Sequence, residues 1–172
     1  ASVASATFTV DNTAPCVTIS TPSATVTRTA AVTYTVTYAD ASGSGVGAVT
    51  LEASNVTLNK TGTANGILAV TGSGTSTRTV AISGISGNGT LGVLIASGTA
   101  TDVAGNSAGV AGPSTTFTVD NTAPSLTMSA PSATVTRTAS VTYTVTYADT
   151  GGSGVSAVTL AAGNVTLNKT GT

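Results

Sequence analysis

Apolar and polar residues alternate with a period of two over much of the chain. Val32, Tyr34, Val36 and Tyr38 interleave with Thr33, Thr35, Thr37 and Ala39. Successive side chains of an extended strand point to opposite faces, so this segment predicts a strand with a buried face and a threonine-rich outer face. Threonine is β-branched, suits a strand, and makes the outer face polar without charge. Helical spacing of apolar residues is absent. Further strands are predicted over 16–20, 24–28, 46–52, 55–60, 67–71, 76–83, 91–101 and 114–120. Turn-forming residues separate them at Pro22-Ser23, Asp40 to Gly45, Thr61 to Gly66, Gly72 to Gly74, Gly84 to Gly89 and Ala104 to Gly112. Ser97-Gly98 is a candidate bulge inside 91–101. About seven to nine short strands in roughly 109 residues predict an all-β, antiparallel Greek-key β-sandwich. Its predicted core is Val17, Ile19, Val32, Tyr34, Val36, Tyr38, Val49, Leu51, Val56, Leu58, Val70, Val80, Ile82, Leu91, Val93, Ile95, Phe117 and Val119.

The chain repeats itself. Phe-Thr-Val-Asp-Asn-Thr-Ala-Pro occurs at 8–15 and again at 117–124, an offset of 109 residues. At that offset residues 8–63 align with 117–172 without a gap, and 10 of the 56 pairs differ. The predicted organisation is the last strand of a preceding repeat over 1–12, a complete repeat over 13–121, and the first half of a following repeat over 122–172. A unit of this length is domain-sized, unlike the shorter turns of a solenoid. Val17 becomes Leu126 and Ile19 becomes Met128, which keeps alternate positions apolar. Cys16, Ala31 and Gly47 all become Ser, as outer or loop positions allow. Half a sandwich leaves an apolar face open, so the polypeptide is expected to continue in both directions in steps of about 109 residues.

Composition narrows the function. The 172 residues include 38 Thr and 20 Gly but no Trp and no His, and only 6% are charged. Without His the commonest general base and metal ligand is missing. Five Lys and Arg against six Asp and Glu give a net charge of −1, which leaves too few cations for a nucleic-acid surface. A mean hydropathy of +0.36 with little charge argues against a solvated coil. No apolar run approaches the length of a membrane-spanning helix. Serine and threonine abound, but a hydroxyl nucleophile here would need a Lys or a terminal amine as its base, and no motif places one. The reading is of a protein that is not an enzyme.

Two segments carry a family resemblance. Val10-Asp-Asn-Thr-Ala-Pro15, followed by Val17-Thr-Ile-Ser20, resembles the inter-domain junction of bacterial Ig-like tandem repeats. Ala100-Thr-Asp-Val-Ala-Gly-Asn106 is similar to the end of their penultimate strand and the hairpin after it. The resemblance covers the whole chain. It implies Ig-like sandwiches in tandem, a place in large extracellular surface proteins or adhesins of bacteria, and a spacer or stalk role. Several such proteins hold calcium at their junctions through aspartates.

Asp11, Asp102, Asn106 and Asp120 form the candidate calcium set, since calcium takes about six to eight oxygen ligands. The alternative is that Asp102 bonds backbone amides in a turn, and that Asp120-Asn121 does the same before Pro124. Asp40 and Asp149 open a Gly/Ser-rich loop and its copy, where an Asx-turn is the expected role. Lys60 and Lys169 are candidates for a Lys–Asn isopeptide, or for charged guards of a strand edge. Asn55, Asn59, Asn88, Asn164 and Asn168 stand in Asn-x-Ser/Thr sequons. Cys16 becomes Ser125 in the next copy, so a general crosslinking role is not expected of it.

The expected function is a structural repeat that builds a long extracellular bacterial fibre, stalk or sheath. Expected partners are neighbouring repeats and identical chains, with no nucleic acid and no membrane span. Two alternatives stand beside it: a ligand-binding adhesin module, and a pilus-like subunit that polymerises by strand exchange.

Overall fold

A computed structural model describes residues 3–41 and 43–170. The chain divides into two compact units, Ala1–Asn121 and Thr122–Thr172. Strands dominate, and no α-helix occurs among the described residues.

Among the described residues the first unit holds ten strands: β1 (Cys16–Ile19), β2 (Val26–Thr27), β3 (Val32–Ala39), β4 (Val46–Val49), β5 (Val56–Lys60), β6 (Asn65–Thr71), β7 (Thr77–Ser86), β8 (Gly89–Ile95), β9 (Ala100–Asp102) and β10 (Phe117–Val119). They form two four-stranded sheets, ordered β1-β3-β7-β6 and β2-β10-β8-β5, and a small sheet of β4 with β9. All pairings are antiparallel except β2 with β10. The two large sheets share one apolar core, an arrangement consistent with a β-sandwich.

The alternation in β3 has its physical consequence here. Val32, Tyr34, Val36 and Tyr38 are buried, whereas Thr35 is exposed and Thr33 and Thr37 lie between these extremes. Ile82 and Val80 of β7 face Val32 and Tyr34 across the pair. Leu91, Val93, Phe117 and Val119 supply the core from the second sheet. Both buried phenols are satisfied, as a polar group removed from water requires. The Tyr34 hydroxyl donates to the Thr115 carbonyl at 2.9 Å, and Tyr38 donates to Thr99 Oγ1 at 3.0 Å. Of the predicted core, Val17, Ile19, Val49, Leu58 and Val70 are only half-buried against it. Ala64, Ile85, Ala100, Ala108 and Ala111 join it from positions the alternation did not mark. The predicted strand 91–101 is two strands. A turn at Ser97-Gly98, with Gly98 at φ +79°, ends β8 and sends β9 to a different sheet.

Register decides which loops share an end of this unit. Cys16, which opens β1, faces Ala39, which closes β3. Asp102, which closes β9, faces Val46, just beyond Gly45. Residues 11–15, 40–41, 43–45 and 102–106 therefore gather at one end. Val119, which closes β10, faces Gly89, which opens β8, and Val32 faces Ile82. The turns at 28–31 and 87–88 and the exit at 120–121 therefore gather at the other. Eight residues of β3, at about 3.3 Å each, separate the two ends by roughly 26 Å.

The second unit pairs β11 (Ser125–Met128) with β12 (Val145–Ala148). Ser125 faces Ala148, which is the Cys16–Ala39 pairing moved by the repeat offset. Its side-chain hooks also recur. Ser132 Oγ accepts from Thr142 N, and Ser129 Oγ from Thr144 N, both at 2.9 Å, as Ser23 and Ser20 accept from Thr33 and Thr35. Burial does not recur: Tyr34 is 1% exposed and its copy Tyr143 54%. The same contrast marks the repeated octapeptide, where Phe117 is 1% exposed and Phe8 86%.

Candidate functional site

The chain enters the first unit through Asp11, ahead of β1, and this residue is fastened from several sides. Asp11 Oδ1 accepts from the Thr13 amide at 3.0 Å, which closes an Asx-turn. Asp11 Oδ2 accepts from the Ser44 amide at 3.0 Å and the Ser44 hydroxyl at 2.6 Å. The Asp11 carbonyl accepts from Asn106 Nδ2 at 2.9 Å.

Asp102 closes β9 and is only 3% exposed. Its Oδ1 accepts from the Asn106 amide and its Oδ2 from Asn106 Nδ2, both at 2.7 Å. The two hydrogens of Nδ2 thus hold Asp102 and the incoming backbone of Asp11 together. Asp40, immediately after β3, accepts from the Gly45 amide at 2.8 Å. Ser44 Oγ accepts from the Ala104 amide at 3.3 Å, which ties the two loops to each other.

Three carboxylates converge in this cradle. One oxygen from each of Asp11, Asp40 and Asp102 lies within 4.8 Å of the other two. Hydrogen bonds hold two of them in the charged form. The Ser44 hydroxyl lowers the Asp11 pKa most, the Thr13 and Ser44 amides add to it, and desolvation opposes them. For Asp102, burial favours the neutral acid, but bonds from the Asn106 side chain and the Asn106 and Gly105 amides outweigh both burial and the Asp11 charge. The net shift is downward.

Of the four sequence candidates, the structure brings Asp11, Asp102 and Asn106 together. Asn106 takes part as a donor. Asp40, read from sequence as the opener of a turn, stands with them. The signal for it was the recurrence of Asp at 40 and 149, each opening a Gly/Ser-rich loop. Asp120 is buried at the end of β10, where its amide donates to the Thr27 carbonyl at 3.0 Å. It occupies in the second octapeptide the place of Asp11 in the first.

The exit of the unit has a fastening of its own, made by Asn121, read from sequence as part of a turn, and Asn88, read as a sequon. The Asn121 amide donates to Asn88 Oδ1 at 2.6 Å. Asn121 Nδ2 donates to the Gly87 carbonyl at 2.6 Å and the Arg28 carbonyl at 3.3 Å. Gly87 and Gly89 adopt φ of +76° and +140°, and a Cβ at either would run into the Thr63 or Thr61 carbonyl. The receiving turn therefore requires glycine at both places.

Lys60, Asn55 and Cys16 lie at the surface, outside the carboxylate cradle. Lys60 Nζ donates to Asn65 Oδ1 at 3.3 Å on the exposed surface. Asn55 Oδ1 accepts from the Glu52 amide at 3.0 Å, and Cys16 is an exposed thiol. The 111–115 segment and β1 border a shallow groove of about 470 Å³, lined by Val17, Ile19, Pro113 and Ser114 among others.

Three oxygen-bearing acids from three separate segments suit a hard, oxygen-seeking divalent cation. Comparison of the chain with models of protein families, with curated proteins and with solved structures finds no match.

Proposed function

We propose that this chain is a structural repeat module of a long extracellular bacterial fibre, stalk or sheath, built from tandem Ig-like Greek-key sandwiches of about 109 residues. The observation that carries the reading is the opposition of entry and exit in the first unit. Asp11 is fastened at one end and Asn121 at the other. A module that takes in the chain at one end and releases it at the other adds its full length to whatever it is joined to. A repeated octapeptide with the same Asp-Asn pair marks both places.

The sparse charge fits the same role. A surface with 6% charged residues exerts little repulsion on a parallel neighbour, which favours lateral packing of identical chains into a bundle. Asp11, Asp40 and Asp102 would hold a calcium-like cation where the junction meets the sandwich. Bound there, the ion would neutralise three crowded carboxylates and stiffen the entry. No catalytic role is part of this reading.

The adhesin alternative needs an exposed recognition cluster, and Tyr34 and Tyr38 are both inside the core. Strand exchange draws on the exposure of Phe8 and Val10, whose copies Phe117 and Val119 are buried between β2 and β8. Electron micrographs of the native material separate the readings. Beaded fibres with a constant spacing support the structural repeat. Isolated particles would defeat it, and fibres that fall apart into single short chains in denaturant would favour strand exchange.

A further inference from the structure

We propose that the outer face of the β1-β3-β7-β6 sheet is a lateral contact between chains, and that its occupant is the same face of a second copy. The inference rests on the structural-repeat reading and names the surface by which chains would lie side by side. Val32, Tyr34, Val36 and Tyr38 point into the core, which turns Thr33, Thr35 and Thr37 outward. Register sets these beside the outward residues of the neighbouring strands. Thr18, Thr37 and Thr77 form one row across β1, β3 and β7. Thr35, Thr79 and Thr71 form the next, across β3, β7 and β6. Thr33 follows, opposite Ala81, which in turn faces Ala69. Ile67, 67% exposed, ends the face at one corner beside Ser83. Strands lie about 4.8 Å apart and alternate residues about 6.8 Å along a strand, so hydroxyls and methyls stand on a regular grid.

Soluble surfaces ordinarily carry charge of both signs. Arg78 is the only charged residue in these four strands, and it is turned off the face. Its Nη1 donates to the Gly74 carbonyl and its Nη2 to the Val49 carbonyl, both at 2.9 Å. A threonine hydroxyl both donates and accepts, so the grid is complementary to a second copy of itself. Stacking then buries no charge, and side chains already stiff at χ1 lose little freedom. Two sheets of the same twist pack face to face at about −30°. The aromatic anchors by which an unlike partner is gripped are missing from the face, since Tyr34 and Tyr38 point inward. Four strands and the length of β3 give a face of roughly 19 by 26 Å, or roughly 500 Å² per copy. A stable pair needs about 800 Å² per partner, so one module on one module associates weakly. Modules in series add their contacts. The second unit repeats the set: Thr127 faces Thr146 there, as Thr18 faces Thr37.

The test is sedimentation equilibrium of the whole chain up to roughly 1 mM, with reductant present so that Cys16 stays a thiol. The parent is expected to form a reversible dimer with Kd on the order of 0.1–1 mM. Thr35→Lys puts a charge at the centre of the face and is expected to raise Kd at least about tenfold. Thr57→Lys puts the same charge on the exposed side of β5, in the other sheet, and is expected to change Kd less than about twofold. A mixture of Thr35→Lys with Thr35→Asp is expected to associate more tightly than either variant alone, because opposite charges then meet across the stack. A parent that stays monomeric throughout the series overturns the inference. So does equal weakening by Thr57→Lys, and so does a mixture no tighter than its components. If Thr35→Lys fails to fold, Thr18→Lys on the edge strand β1 takes its place against Thr57→Lys and decides. Beaded native fibres with a monomeric chain would leave the structural repeat standing and remove the lateral face. Isolated native particles with a dimer that Thr35→Lys weakens would do the reverse.

Discussion

Val36→Ala tests the strand phase on which the core depends. Val36 is fully buried at the centre of β3, between Ile19 of β1 and Arg78 of β7 in register. The substitution removes two carbons, which at roughly 0.8 kcal/mol per methylene is about 1.6 kcal/mol of transfer free energy. A residual cavity of roughly 40 Å³, at about 24 cal/mol per Å³, adds about 1 kcal/mol before its walls relax. The expected loss is about 1.5–2.5 kcal/mol. Thr35→Ala is the control, since Thr35 is exposed and loses only strand preference, about 0.5 kcal/mol. Urea melts of the whole chain, followed by tyrosine fluorescence, report on Tyr34 and Tyr38 as they leave the core. With a urea slope of about 1–3 kcal/mol/M, Val36→Ala should lower the midpoint by on the order of 1 M and Thr35→Ala by a quarter of that or less. Val145→Ala repeats the substitution at the half-buried copy position and should leave the transition of the first unit in place. Equal shifts for Val36 and Thr35, or a larger one for Thr35, would refute the phase and the sandwich built on it.

Gly87→Ala should cost more than a surface substitution, on the order of 1–3 kcal/mol, because a left-handed backbone and the Thr63 carbonyl both oppose a Cβ. A melting temperature equal to the parent's would contradict that. Calcium at 100 times its dissociation constant should stabilise the first unit by about 2.7 kcal/mol, and Asp40→Asn should abolish most of the gain. Identical melts in calcium and in chelator would remove the cation from the account. Acid should loosen the entry. Asp11 and Asp102 have folded pKa values below 3.8, so their contribution is complete above that value and is lost as pH falls through the folded values. The loss therefore lies below about pH 4, and Asp11→Asn with Asp102→Asn should flatten that limb of a stability–pH curve and lower the plateau at pH 5–8, where the parent holds the full contribution. A parent curve that is already flat below pH 4 would contradict this.

The strands were legible because alternation is a local property. Val32 to Ala39 read the same in the sequence as in β3, and the turns fell where glycine and aspartate clustered. The break between β8 and β9 was not legible, since apolar residues continue on both sides of Ser97-Gly98 and only the change of sheet separates them. Ala64, Ala100, Ala108 and Ala111 entered the core unannounced because a small side chain in or beside a loop carries no periodic signal. The hooks of Ser20 and Ser23 recur at Ser129 and Ser132, since they need only a neighbouring strand. Burial of Tyr34 needs a second sheet, and nothing in the alternation distinguishes it from Tyr143. The cradle shows both limits. Asp102 and Asn106 sit four residues apart and were readable as a pair, but the approach of Asp40 and Asp11 follows from register across β1, β3, β4 and β9. Asn121 was readable only as part of a turn before Pro124, because its partners, Asn88 and Arg28, are 33 and 93 residues away.

Pulling single molecules of the native protein end to end tests the central claim most directly. If the repeats are separate sandwiches in series, force should open them one at a time. About 109 residues at roughly 3.6 Å each, less a folded length of about 40 Å, give steps near 350 Å. The account predicts a regular series of such steps from each molecule. A single step, or releases of irregular length, would contradict it.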